Sequence, residues 1–367
     1  MTAKRGTASL SRQRSEPHAL VTGGAGFIGT NLSHRLAGQG RRVLILDNLS
    51  RPGGERNLAW LKAMHGDLVT AQTADVRDAR AVASAVQGAD AVFHLAAQVA
   101  VTTSVRNPRA DFEVNAAGTL NVLEALRSLE NPPPLVFTST NKVYGKLANL
   151  ELLERDTRYA PVDALVAEHG VAEDRPLDFY SPYGCSKGAA DQYVLDYARI
   201  YGLRAVAMRM SCIYGPHQSG TEDQGWVAHF LISALEGRGL NIYGNGKQVR
   251  DVLWVEDLVE AFLLAVERAD DLRGMAFNMG GGPDNAISLL ELLDMMRELG
   301  VTPASMAYGK GRPGDQAWFV ADTGGFEAAT GWKPRMNKRD GVAALTKWLK
   351  EHRVMAGGQL WAREAIS

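Results

Sequence analysis

The chain has 367 residues, is 46% apolar and carries 40 Lys and Arg against 41 Asp and Glu, a formal charge of −1. That balance excludes a global attraction to nucleic acid or to an anionic membrane, so an anionic ligand must be held by local charge. The length predicts two lobes, and two cysteines, Cys185 and Cys212, exclude a disulfide framework. No apolar run approaches the length of a membrane span, and the expected setting is the reducing cytoplasm. Residues 1–16, with Lys4, Arg5, Arg12 and Arg14 among several serines, lack the apolar core of a secretory signal and read as a flexible solvated tail, with an organellar presequence as the alternative.

From His18 the chain alternates. The apolar run His18 to Thr22 predicts a strand, and Gly23-Gly24-Ala25-Gly26-Phe27-Ile28-Gly29 follows it and opens a helical pattern reaching Leu36. Glycines at this spacing permit a tight turn and close approach of the backbone to a pyrophosphate, whose charge then faces a helix N-terminus. A second strand, Arg42 to Leu46, ends in Asp47, where a carboxylate can accept from ribose hydroxyls and repel a 2′-phosphate; NAD is therefore expected over NADP. Arg51, just behind, is the one residue that speaks for the phosphorylated cofactor.

Further strands are expected at Val69 to Ala74, Ala91 to Leu95, Leu135 to Thr140 and Ala205 to Met210. Helices are expected at Ala79 to Val86, Arg109 to Ser128 and Tyr183 to Ile200. Strict alternation predicts an α/β fold, a Rossmann-type doubly wound parallel sheet with a smaller C-terminal substrate-binding lobe and with ligands at the C-terminal strand ends. The NAD-binding part is expected over 17–210. The substrate lobe follows over 211–352, with segments returning to the large domain, and 353–367 form a tail. Expected cofactor contacts are Gly23, Gly26, Phe27, Ile28 and Gly29 in the turn, then Asp47, Asn48, Ser50 and Arg51. Asp75 and Val76 follow the third strand, and Leu95, Ala96 and Ala97 the fourth. His94 reads as a packed strand-end residue, and none of the eight histidines has a spacing that suggests a metal.

After the fifth strand stands Thr140-Asn141-Lys142-Val143-Tyr144-Gly145, and some forty residues later Tyr180-Ser181-Pro182-Tyr183-Gly184-Cys185-Ser186-Lys187. Pro182 suits the first turn of a helix, which places Tyr183 and Lys187, four apart, on one face. Lowering a phenol by roughly three pKa units takes about 4 kcal/mol. An ammonium ~4 Å away supplies an interaction of that order at an effective dielectric near 20. The stretch is thus expected to make a tyrosinate base beside a hydride acceptor, with Lys187 also holding the nicotinamide ribose and Thr140 donating to the forming oxyanion.

On these stretches the chain, from about His18 to Trp348, resembles the extended short-chain dehydrogenase/reductase family of NAD-dependent nucleotide-sugar epimerases and dehydratases. The resemblance implies that the glycine turn binds pyrophosphate, that Thr140, Tyr183 and Lys187 are catalytic, and that NAD stays tightly bound, resting as NAD+. It implies a nucleotide-diphosphate sugar as substrate, no nucleic-acid or membrane partner, and a homodimer or homotetramer paired through the two long helices. Four stretches resemble the 2-epimerase branch: Ser139 to Gly145, Ser181 to Tyr193, Asp223 to Val227 and Gly244 to Asp251. In the dehydratases an acid and a base follow the threonine. Asn141 and Lys142 stand there in this chain and disfavour elimination.

Beyond Met210, helices are expected at Glu222 to Leu235, Val255 to Val266 and Leu289 to Leu299, with a glycine-rich loop containing short extended pieces at Gly237 to Gln248. Arg250 and Arg312 are expected to clasp the diphosphate, the alternative being ion pairs with Asp251 and Asp315. Asn141, Cys212 and Gln248 are further substrate contacts, Cys212 with a simple packing alternative, and Trp254 is a weaker pocket candidate. The expected reaction is epimerisation through a transient ketone. Its alternatives are 4-epimerisation of a UDP-hexose, net oxidation with release of NADH, and a catalytically silent NAD-binding regulator.

Overall fold

The computed structural model describes residues 16–312 and 314–352, so the expected 353–367 tail and, Glu16 apart, the 1–16 tail lie outside it. In chain order the first half runs β1 His18–Thr22, α1 Phe27–Gly38, β2 Val43–Asp47, α2 Gly54–His65, β3 Val69–Thr73, α3 Ala79–Val86 and β4 Ala89–His94. Then come α4 Val101–Arg106, α5 Pro108–Phe112, a π-helical turn Glu113–Ala117, α6 Gly118–Arg127 and β5 Leu135–Thr140. A short excursion, β6 Leu152–Glu154, β7 Tyr159–Pro161 and α7 Ala164–His169, precedes the long α8 Ser181–Tyr201 and β8 Ala205–Met210. The second half comprises β9 Cys212–Tyr214, α9 Trp226–Leu235, β10 Leu240–Tyr243, β11 Val249–Trp254, α10 Val255–Glu267 and β12 Ala276–Met279. It closes with β13 Ala286–Ser288, α11 Leu289–Glu298, β14 Met306–Gly309, β15 Trp318–Phe319, α12 Gly324–Thr330 and α13 Lys338–Glu351.

Seven strands form one sheet in the order β12-β8-β5-β4-β1-β2-β3, and every pairing in it is parallel. Because parallel strands need crossovers, helices cover both faces and the strands read as continuous apolar runs. Leu32 and Leu36 of α1, Leu61 of α2 and Leu258 and Phe262 of α10 fill one side. Val82 and Val86 of α3, Val122 and Leu126 of α6 and Val194 of α8 fill the other. The strand order reverses between β1 and β4, which opens a crevice beyond their C-terminal ends. The smaller lobe is built on β11, parallel to β9 and β15 and antiparallel to β13, with α9, α11 and α13 packed around it.

Two sequence expectations are corrected. The helix expected from Glu222 starts at Trp226, because Thr221 and Gln224 close a tight turn and Gly225 takes a left-handed φ of 73°. The helix expected over Arg109 to Ser128 is interrupted by the π-helical turn, which admits one extra residue and turns Asn115 into the core. Within the expected glycine-rich loop, the short extended piece is β10, paired in parallel with β14. Helix α8 begins at Ser181 with Pro182 in its first turn and stops at Gly202, whose φ of 71° ends it.

Candidate active site

A cleft of about 810 Å³ runs from the glycine turn across the sheet ends to the smaller lobe. Every residue expected to touch cofactor or substrate lines it, from Gly23 to Arg312, whereas the weaker candidate Trp254 does not. Trp254 is instead buried edge-on against Tyr214.

The glycine turn fits a dinucleotide. A Cβ on Gly29 would come within 2.4 Å of the Gly23 carbonyl oxygen, so only glycine lets α1 start this close to the turn. No side chain caps the N-terminus of α1 and no acid stands in its first turn, which leaves its N–H groups and their partial positive charge for an anion. Asp47, at the end of β2, accepts from the backbone N–H groups of Ala25 at 3.0 Å and Leu49 at 2.8 Å, which fixes its carboxylate at the cleft edge. Arg77, together with Asn48, grips the Asp75 carboxyl and holds its pKa down to about 2. Ser139 Oγ is buried on the cleft wall with no partner among the described residues, an unused polar atom at the nicotinamide end.

Thr140, ending β5, and Tyr183, in the first turn of α8, meet in the middle of the cleft through a side-chain hydrogen bond. Lys187 lies one turn along α8, 3% exposed, with its amine 4.2 Å from the centre of the Phe137 ring. The expectation that Lys187 makes the phenol acidic is corrected. Burial raises Tyr183 to about 12, Thr140 and Arg51 pull it down, and Asp111 pushes it up. Burial likewise lowers Lys187 to about 7, against the pull of Asp191 and Asp111. Arg51 thus acts on the phenol, towards the reaction centre. His94 is buried between the Thr22 hydroxyl at 2.7 Å and the Thr119 hydroxyl at 3.0 Å, and burial drops it to about 3, so it is a neutral packed residue as expected.

On the substrate side, Arg250 is buried and donates to Asp315 at 2.6 Å rather than to its sequence neighbour Asp251. Arg312 stacks 3.8 Å over the Tyr243 ring, donates to the Glu222 carbonyl at 2.7 Å and lies 3.4 Å from the Asp223 carboxylate, not on Asp315. Both guanidinium groups are held by acids at the cleft edge. Lys142 donates to the Gly314 carbonyl at 3.1 Å, and Asn141 donates to Gln316 at 3.3 Å, so neither is placed as an acid and base pair for elimination. Cys212 accepts from the Trp226 indole N–H at 3.4 Å, and burial raises its thiol pKa. Sequence reasoning gave no cleft role to Glu222 or Tyr243 and read Asp315 only as an alternative ion-pair partner; their place in the cleft depends on contacts between distant segments. Among the described residues no group of three or more His, Cys, Asp or Glu forms a metal site.

A parallel sheet with a glycine-rich turn after its first strand, and a buried phenol bonded to a threonine hydroxyl in the same cleft, fit a nicotinamide-dependent enzyme of alcohol and ketone chemistry. The NAD dependent epimerase/dehydratase family model matches residues 19–280, and the chain belongs to that family, with NAD as its cofactor. It is 44% identical over 342 residues to CDP-paratose 2-epimerase of Salmonella typhi, covering 90% of this chain and 98% of that one. It is 31% identical to a putative UDP-glucose 4-epimerase of Methanocaldococcus jannaschii, covering 91% of this chain and 98% of that one. Among solved structures, UDP-glucose 4-epimerase of Thermus thermophilus in complex with NAD superposes with a TM-score of 0.75 at 31% identity, covering 90% of this chain and 98% of that one. The chain is an NAD-dependent nucleotide-sugar epimerase, an isomerase. No helix of the described residues is long and apolar enough to cross a membrane.

Proposed function

We propose that this epimerase inverts C2 of a CDP-linked 3,6-dideoxyhexose, converting CDP-paratose to CDP-tyvelose. The observation that carries the reading is the 44% identity to the Salmonella enzyme across 98% of its length. Asn141 and Lys142, tied to Gln316 and Gly314, support redox epimerisation over elimination.

Tyr183 takes the proton of the C2 hydroxyl as the hydrogen on the same carbon departs as hydride, and Thr140 donates to the oxygen that becomes a carbonyl. Bound NAD+ supplies the hydride acceptor and a positive charge near the phenol. Arg51 adds a second positive charge there, and Lys187 holds the ribose. The ketone turns between Arg250 and Arg312, which keep the diphosphate fixed; hydride returns to its other face and Tyr183 gives the proton back. No electrons leave the cycle, so NAD stays bound and rests oxidised. The protein acts in the cytoplasm as a homodimer or homotetramer.

Purified protein incubated separately with CDP-paratose and UDP-glucose, with products read by NMR, tests the substrate. Inversion at C2 of the CDP-sugar is expected. Inversion confined to C4 of UDP-glucose would replace the proposal with the 4-epimerase reading.

A further inference from the structure

Behind Tyr183 and Lys187 lies a carboxylate to which the scheme above gives no task. Asp111, near the end of α5, is 0% exposed. One of its oxygens accepts from Ser186 Oγ at 2.5 Å. The other accepts from Gln98 Nε2 at 2.7 Å and from Asn115 Nδ2 at 3.3 Å. Asn115 reaches it because the π-helical turn swings that residue inward, and the same amide donates to Ser186 Oγ at 3.0 Å. Ser186 stands between the two residues of interest, next to Lys187, and lies 3.2 Å from the Tyr183 carbonyl oxygen. The carboxylate is thus bonded to the turn of α8 that carries the phenol and the amine.

An ionised carboxylate out of water is costly unless a charge or several donors compensate it. Asp191, the other acid that acts on Lys187, is compensated by Arg209 through two hydrogen bonds of 3.0 and 2.9 Å. Among the described residues only neutral hydroxyl and amide groups bond to Asp111; burial raises its pKa, and the bonds from Ser186 and Gln98 and the charge of Lys187 draw it back towards the ionised form in which Lys187 and Tyr183 feel it. It supports the protonated amine and opposes the phenolate. The remaining charged or titratable neighbours are Arg51, which opposes Asp111 at the phenol, and His94, which is neutral.

We propose that Asp111 is a positioning residue for the epimerisation: a fixed counter-charge that keeps Lys187 protonated while anchoring, through Ser186, the helical turn that presents Tyr183. It tunes the pair in opposite senses, favouring the ammonium at some expense to the base. The proposal rests on the assignment of Tyr183 and Lys187 as the reacting pair.

The holoenzyme is titrated by ultraviolet absorbance, and the tyrosinate step of Tyr183, one of ten tyrosines, is isolated by subtracting the titration of Tyr183→Phe. In Asp111→Asn that step moves to lower pH by on the order of one unit, the effect of one nearby charge. The acid limb of the pH profile of kcat, set by Tyr183 deprotonation, moves in the same direction. Asp111→Glu and Ser186→Ala, which keep the charge and disturb the packing, leave the titration midpoint near its parental value. If Asp111→Asn does not fold, Asp111→Ser is read in its place. An unmoved midpoint in the neutral variant, or an equal displacement in Ser186→Ala, would reduce Asp111 to packing and overturn the proposal. The absorbance readout needs no substrate; normal turnover in Tyr183→Phe would instead defeat the underlying assignment.

Discussion

Tyr183 and Lys187 are both buried, and burial works against the charged form of each, raising the phenol to about 12 and lowering the amine to about 7. The protein alone therefore does not prepare a phenolate, and the base becomes competent only with the positive charges assembled around it in the holoenzyme. Removing the phenol oxygen should lower kcat by about 10²-fold or more, the range of general acid–base catalysis, while NAD remains bound. Steady-state kinetics and the absorbance of released cofactor on Tyr183→Phe check both halves. A second consequence concerns stability. Below about pH 7 the folded state must hold a buried ammonium, and that cost fades as pH rises from the folded value of about 7 towards the ordinary lysine value of 10.5, where both states become neutral. Burial outweighs the attraction of Asp191 and Asp111, so Lys187→Met should raise the melting temperature of the chain by a few degrees below pH 7 and by progressively less above it. Calorimetry at pH 6 and pH 10 reads the difference, and a gain that grows with pH would contradict it.

At the scale of elements, the turn before α1 has the sharpest steric requirement. A methyl group on Gly29 would meet the Gly23 carbonyl oxygen at 2.4 Å and the Gly24 Cα at 2.6 Å, backbone atoms that cannot step aside cheaply. Gly29→Ala should purify with little NAD, measured as the ratio of cofactor to protein after denaturation, and full occupancy would show that the turn is not the anchor. This turn was legible in the sequence because its geometry is local, as were β1, β2, β5 and α8. Helix α2 was not read, since only Gly54, Asn57 and Leu61 of its residues are buried and its apolar face is narrow. Strand β11 was hidden by Arg250 and Asp251, two buried charges inside it whose partners, Asp315 and Ser211, come from distant segments. Strand β12 is four residues long, and its pairing with β8, not its composition, makes it the seventh strand of the sheet. The cleft was legible wherever a residue acts through its own backbone neighbours, and unread at Glu222, Tyr243 and Asp315, which reach it only through tertiary packing.

For the whole molecule, the proposed function divides the labour between two lobes: the large sheet would fix the dinucleotide and the reacting carbon, and Arg250 and Arg312 would meet the diphosphate from the smaller lobe. Phe112 beside the π-helical turn and Tyr193 and Ile200 on α8 are 56%, 48% and 61% exposed, apolar surface on the two helices proposed to pair subunits. Ile200→Glu, remote from the cleft, should shift the sedimentation coefficient towards a smaller species; an unchanged value would place the contact elsewhere. The central claim is that the hydrogen removed from the sugar carbon is the one returned to it, guarded from solvent by the cofactor. CDP-paratose turned over in deuterated water, with the product examined by NMR, tests this most directly: product inverted at C2 and free of solvent deuterium is predicted, and deuterium at C2 or at a neighbouring carbon would contradict it.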